Sequence, residues 1–235
     1  MILALERSVP SMNQHIQIQS ADGFQLGAYQ AQSTDKTIGS VVVIQEIFGV
    51  NSHIRDVVDS YASEGYFAIA PKIFDRVEGD IELGYDESGM NAGVEIAFQK
   101  LDMVKTLEDI QATIDYAKDR GPVAVVGYCF GGLLTWLSAC QLEGVSAASS
   151  YYGGGLISQK DLIAKCPVMM HFGDRDAHIP LSDVEQIKDA QPDVDVFVYQ
   201  ADHGFNCSVR DSYDQPSATL ARKRSLDFFA KHLVI

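Results

Sequence analysis

Residues 125–132 read VVGYCFGG. A β-branched run ends at Gly127, a cysteine stands two residues on, and Gly131 and Gly132 precede the apolar stretch LLTWLSACQL. The run from Pro122 to Gly127 predicts a strand, and the stretch after Gly132 predicts a helix. A sharp strand-to-helix turn strains the backbone of its middle residue, and Gly127 and Gly131 remove the side chains that would clash across it. Such an elbow lifts Cys129 above the sheet rim at a helix N-terminus. There the dipole favours a thiolate, and the next backbone N–H points at any oxyanion that forms. Serine is the usual occupant of this turn, but no GxSxG occurs in the chain. A structural cysteine buried beside a tight turn is the alternative.

Outward from the elbow, the chain alternates strand and helix signals. Residues 14–31 alternate apolar and polar around Asp22-Gly23, which predicts an N-terminal hairpin at a sheet edge. SVVVIQ at 40–45 is an unbroken apolar run, as in a strand buried on both faces. Ile54, Val57, Val58, Tyr61 and Ala62 then form one helical face. Further strands are expected at 66–71, 145–151, 167–172 and 194–200. Helices are expected at 97–119 and 181–190, with a closing one presenting Leu226, Phe229, Ala230 and Leu233. This order predicts an α/β fold with a mostly parallel sheet of about eight strands and helices on both faces. Right-handed crossovers place the strand C-termini on one rim, where open α/β sheets bind ligands. Residues 1–235 read as one domain. The long irregular piece 72–96 is either a lid or a plain surface insertion.

Composition narrows the partners. The net charge of −14 repels polyanions, so neither nucleic acid nor an anionic membrane surface is expected. Four cysteines without a CxxC pair suit a reducing cytoplasm. MILALERSVPSMNQ lacks the basic start and long apolar core of a signal peptide, and no apolar stretch is long enough for a membrane span. The chain is expected to be a monomer or weak homo-oligomer acting on a small molecule.

A cysteine nucleophile needs a base, and the base an orienting acid. In this fold the order is nucleophile, acid, histidine. GDRDAHIP at 173–180 supplies Asp174, Asp176 and His178 after a strand, and ADHGF at 201–205 supplies His203 after the last strand. Asp176 is the preferred acid, with Asp174 as a loop cap, and His203 the preferred base over His171, inside a strand, and His178, in the acid loop. His171, Asp174, Asp176 and His178 share no rigid element, so no metal site is expected there.

With QEIFGVN at 45–51, GYCFGG at 127–132, YYGGG at 151–155, GDRDAHIP and ADHGF, the chain resembles the dienelactone hydrolase family of α/β-hydrolases nearly end to end. The resemblance implies a lactone or ester hydrolase without a cofactor, with Cys129 as nucleophile, Asp176 as acid and His203 as base. It gives the backbone N–H groups of Ile47 and Phe130 to the oxyanion hole, and makes Glu46 a glutamate that holds the resting thiol. Tyr151 and Tyr85 are implied as substrate contacts, with core packing as the alternative for Tyr151. The chain departs from the family pattern where two arginines grip a substrate carboxylate. Cys207 stands four residues after His203, and no Arg or Lys lies between Arg76 and Lys100. Glu78, Asp80, Glu82, Asp86, Glu87 and Glu95 occupy that stretch instead. A neutral acyl group is therefore expected, unless Arg76, Arg175 or Arg210 compensates. Two further readings stand beside this one. A glutaminase-like enzyme would want a glutamate where Phe205 stands, and a non-catalytic protein that kept the pocket would bind a ligand or sense redox state, sensing favouring an exposed Cys129 with a resolving cysteine nearby.

Overall fold

The structure, a computed structural model, describes residues 14–32 and 37–233. The N-terminal stretch read above as no signal peptide thus lies, up to residue 13, outside the described residues. Strands β1 (Gln14–Gln19) and β2 (Gln25–Gln32) form the expected hairpin. They continue into β3 (Ser40–Ile44), β4 (Phe67–Pro71), β5 (Val123–Tyr128), β6 (Val145–Tyr151), β7 (Val168–Gly173) and β8 (Asp195–Tyr199). The sheet order is β1-β2-β4-β3-β5-β6-β7-β8, with β1 and β2 antiparallel and all pairs from β4 to β8 parallel. This is the expected α/β-hydrolase arrangement.

Residue choice follows position in the sheet. β3, β4 and β5 are buried along their whole length, which only continuous apolar runs such as VVVI and VAVV tolerate. Helix α1 (Ser52–Ser63) buries Ile54, Val57, Val58, Tyr61 and Ala62, the stripe its periodicity predicts. Its start is set by Asn51, whose side chain accepts from the Ile54 N–H. Helix α4 (Phe130–Gln141) is apolar nearly all round and buried over almost its whole surface, because β5, β6 and neighbouring segments enclose it. Helices α3 (Met103–Ala117), α5 (Leu181–Ala190) and α6 (Gln215–His232) complete the layers.

Two expectations are corrected. The helix expected over 97–119 is broken: a wide π-turn at Ile96–Lys100 belongs to the preceding helix, and Leu101 is extended. Asp102 causes the restart, since its carboxylate accepts from the N–H groups of Val104 and Lys105 and caps α3. On α6, Ala230 is exposed, and the buried face runs through Ala221, Ser225, Phe228 and Phe229. A serine occupies that face because its hydroxyl meets those of Ser149 and Tyr151 and the ring of His171. No helix among the described residues is long and apolar enough to cross a membrane.

Segment 72–96 is not a structureless loop. It holds a short 3₁₀ turn at Ile73–Arg76 and helix α2 (Glu87–Glu95), capped by the Asp86 carboxylate on the Gly89 N–H. A Cβ at Gly93 would fall onto the Ile47 carbonyl oxygen, so α2 packs backbone to backbone against the loop after β3.

Candidate active site

Cys129 sits between β5 and α4 with φ 56° and ψ −115°, a conformation costly for any residue with a side chain. The surroundings hold it there: its N–H donates to the Tyr151 carbonyl at 3.0 Å, and its own carbonyl accepts from Gly132 at 2.9 Å. A Cβ on Gly127 would collide with the Gly131 carbonyl, and one on Gly131 with the carbonyls of Ile44 and Gln45. Both glycines are thus required by close packing at the elbow, as the sequence predicts.

The loops after β7 and β8 bring Asp176 and His203 together. Asp176 Oδ2 meets His203 Nδ1 at 2.7 Å, while Oδ1 accepts from the N–H groups of His178 and Ile179 at 2.8 and 3.1 Å. Both side chains are buried. Asp174, by contrast, is exposed, with Arg175 3.9 Å away. Burial works against the charged imidazole of His203, but hydrogen bonds to Asp176 and Cys129 outweigh it and push the group up to about 10. With Nδ1 taken by Asp176, Nε2 is the nitrogen left for Cys129. His171 is a different case. It is buried in β7 with Nδ1 on Tyr199 Oη at 2.8 Å and Nε2 on Ser225 Oγ at 3.1 Å, and burial lowers it to about 3.

Cys129 and His203 open into a pocket of about 260 Å³, walled by Ile47, Phe48, Met90, Val94, Phe98 and Gly154 among others. Segment 72–96 contributes Met90 and Val94 to this wall, with Phe98 just beyond it, edge-on to Phe130 at 5.4 Å. Its acids do not line the pocket: Asp80 pairs with Lys72, Glu82 with Arg55 and Glu95 with Lys100. The N–H groups of Ile47 and Phe130 donate to no protein acceptor among the described residues, which leaves both available at the rim.

Glu46 is fully buried at the end of β3. Tyr85 donates to one of its oxygens at 3.2 Å and Arg210 approaches the other at 3.5 Å. Tyr85 packs on Phe48 at 4.4 Å and also accepts from Asn51, so it braces the pocket wall through Glu46. Tyr151 does not reach the pocket. Its ring is buried against Tyr128 and His171 and its phenol is bonded to Ser225 Oγ at 2.8 Å, so the implied substrate contact does not form. Arg76 is bound to Asp22 and Asp109, and the exposed Arg175 to the Gln200 carbonyl. Of the three arginines, only Arg210 lines the pocket. The sequence gives Arg210 no distinguishing mark, because it reaches the site through a loop turn seven residues after His203. His178, exposed in the acid loop, also lines the pocket, its ring 5.2 Å from that of His203.

Residues 26–233 match the sequence profile of the dienelactone hydrolase family. A Synechocystis sp. protein assigned as a carboxymethylenebutenolidase is 36% identical over 96% of this chain and 96% of its own. The carboxymethylenebutenolidase of Pseudomonas putida is 32% identical over 93% of this chain and 97% of its own. A crystal structure from Klebsiella pneumoniae, assigned as a dienelactone hydrolase, superposes with a TM-score of 0.83 at 30% identity, covering 94% of this chain and 99% of that one. With the elbow, the sheet order and the profile in agreement over nearly the whole described length, the chain belongs to the dienelactone hydrolase family.

Proposed function

We propose that this chain, as one domain over 1–235, hydrolyses carboxylic esters or lactones through a Cys129–His203–Asp176 triad and a thioester intermediate. The observation that carries the reading is the strained elbow of Cys129, facing a histidine whose other nitrogen is 2.7 Å from a buried carboxylate. In the first half-reaction the Cys129 thiolate attacks the carbonyl carbon, and the carbonyl electrons move to oxygen. The free N–H groups of Ile47 and Phe130 receive that oxyanion. Donors of this kind typically contribute about 3–4 kcal/mol of transition-state stabilisation each. Collapse expels the alkoxide, which takes a proton from His203 Nε2. The neutral imidazole then removes a proton from water, hydroxide attacks the thioester, and a second oxyanion expels the thiolate. Asp176 keeps the ring oriented and stabilises the imidazolium at both stages.

Glu46 shapes the resting state in this reading. The resemblance implies a glutamate that holds the thiol, and here its carboxylate takes hydrogen bonds from Tyr85 and Arg210. We assign it the part of a polar brace that positions the pocket wall beside Cys129. The walls are largely apolar, and the one arginine or lysine lining them among the described residues, Arg210, already faces Glu46. Small, neutral acyl groups are thus the favoured substrates, acted on by a cytoplasmic enzyme that is monomeric or weakly self-associating.

Turnover of a p-nitrophenyl ester by Cys129→Ala is the test. The variant is expected to keep the wild-type melting profile and lose roughly 10⁶-fold in kcat, the scale seen when an acyl-transfer nucleophile is removed. Near wild-type turnover by a folded variant would assign the nucleophile elsewhere.

A further inference from the structure

Behind the pocket wall lies a cluster that the reaction above leaves largely unused. Glu46, His53 and Cys207 each bring one ligating atom within 4.8 Å of the other two, and all three residues are buried. His53 is 5% exposed, and its Nε2 has no hydrogen-bond partner among the described residues. An orphaned buried nitrogen of this kind costs stability in a folded protein and calls for an explanation. Burial holds the imidazole below its ordinary range despite the nearby Glu46 charge, which keeps it in the neutral form that binds metals.

We propose that Glu46, His53 and Cys207 form a binding site for a thiophilic divalent cation of the zinc type, and that the bound metal restrains turnover. The donor set decides the class. A thiolate, an imidazole and a carboxylate suit zinc or cobalt, whereas magnesium and calcium prefer oxygen alone. Ligand atoms around a tetrahedral zinc ion stand roughly 3.4–3.7 Å apart, so small side-chain adjustments close this cluster on a metal. Cys207 is a thiol before the metal arrives, because burial and the Glu46 charge push it up to about 11. Binding forms the metal–sulfur bond and releases the thiol proton to solvent.

An access route exists apart from the substrate pocket. His53 lines a depression of about 240 Å³ whose walls also carry Asp56, Asn206, Ser208 and Arg222, and Asn206 and Ser208 flank Cys207 in the chain. On the inner side, the metal competes with Tyr85 and Arg210 for the Glu46 carboxylate. Losing those two contacts loosens the wall beside Cys129, which is how metal binding would slow hydrolysis. That consequence rests on the proposed function. The binding itself does not.

The experiment is a Co²⁺ titration of the full chain, read by the thiolate-to-cobalt charge-transfer band and the visible bands of tetrahedral cobalt. The expected result is saturation at one metal per chain, displacement by Zn²⁺, and a matching loss of ester turnover. Cys129→Ala should keep the bands and Cys207→Ser should lose the charge-transfer band. His53→Gln should weaken binding by about tenfold or more, the scale already reached when a ligand merely loses its supporting partner. If Cys207→Ser does not fold, His53→Gln carries the comparison. Bands that survive in Cys207→Ser, or vanish in Cys129→Ala, would place the metal on the nucleophile and overturn the proposal. A wild-type chain without stoichiometric cobalt would overturn it outright, and metal bound without effect on turnover would remove the regulatory half. A chain that binds metal yet hydrolyses no ester would count against the proposed function and leave the site standing.

Discussion

His171 in the middle of β7 and His203 in the loop after β8 are both buried, yet they are shifted in opposite directions. His171 is held by hydroxyls alone, from Tyr199 and Ser225, and burial keeps it neutral, down to about 3. His203 meets the same penalty of burial, but a carboxylate 2.7 Å from one nitrogen and a cysteine at the other reverse it, up to about 10. Burial alone therefore does not decide what a histidine can do. In this pair the hydrogen-bonded carboxylate does, and the loops after β7 and β8 bring it within reach of His203.

Removing the carboxylate should have the largest effect on the difference between the two histidines. Asp176→Asn keeps the size of the side chain and its two backbone contacts, but no longer stabilises the imidazolium. A loss on the order of 10³–10⁴-fold in kcat is expected, the scale known for triad acids. Asp174→Asn, in the same loop but exposed, should change activity little and stability by less than about 0.5 kcal/mol. A paired kinetic and thermal-melt comparison separates the two acids, and the reverse ranking would make Asp174 the orienting group.

The next effect is thermodynamic and has opposite signs in the two regions. His171 stays neutral in the folded chain while an unfolded histidine takes up a proton near pH 6.5, so stability falls as pH drops from about 6.5 towards 3. His203 holds its proton in the folded chain, so its contribution is full below about pH 6.5 and is lost as pH rises through about 10. Each slope approaches at most about 1.4 kcal/mol per pH unit. Thermal melts across pH should show His171→Gln flattening the acid limb and His203→Gln the alkaline limb. The same limb flattened by both variants would mean that the two rings share one environment after all.

The smallest effect concerns substrate charge, which only the His203 side meets. A neutral short-chain ester should exceed its carboxylate-bearing analogue in kcat/KM by about tenfold, equivalent to roughly 1.4 kcal/mol. Arg210 is the group that could reverse this, since it lines the pocket and its nearest carboxylate, Glu46, stands 3.5 Å away. An anionic lactone outperforming its neutral methyl ester, with the preference abolished in Arg210→Gln, would show that the guanidinium is free to take substrate.

Much of the site was legible because it is local in sequence. The elbow, the glycines beside it, and the acid and histidine loops are short stretches whose spacing carries their geometry. The sheet was legible from its apolar runs, since strands buried on both faces admit few other residues. What escaped depends on contacts between distant segments. Ser225 breaks the apolar stripe of α6 because it pairs with groups on β6 and β7. Arg210 reaches Glu46 across 164 positions, and Tyr151 is turned away from the pocket by a hydroxyl on α6. No periodicity records such pairings. Segment 72–96 read as irregular because α2 is short and glycine-bearing, and one of those glycines is required by the loop of Ile47 that it touches.

In the proposed reaction a thioester forms on Cys129. Mass spectrometry of the chain, acid-quenched within the first turnovers of a p-nitrophenyl ester, tests it directly. The expected result is a mass increase of one acyl group, mapped to the peptide carrying Cys129, which accumulates in Asp176→Asn as the water step slows. An acyl group found on another residue, or hydrolysis with no adduct at any time in wild type or variant, would contradict it.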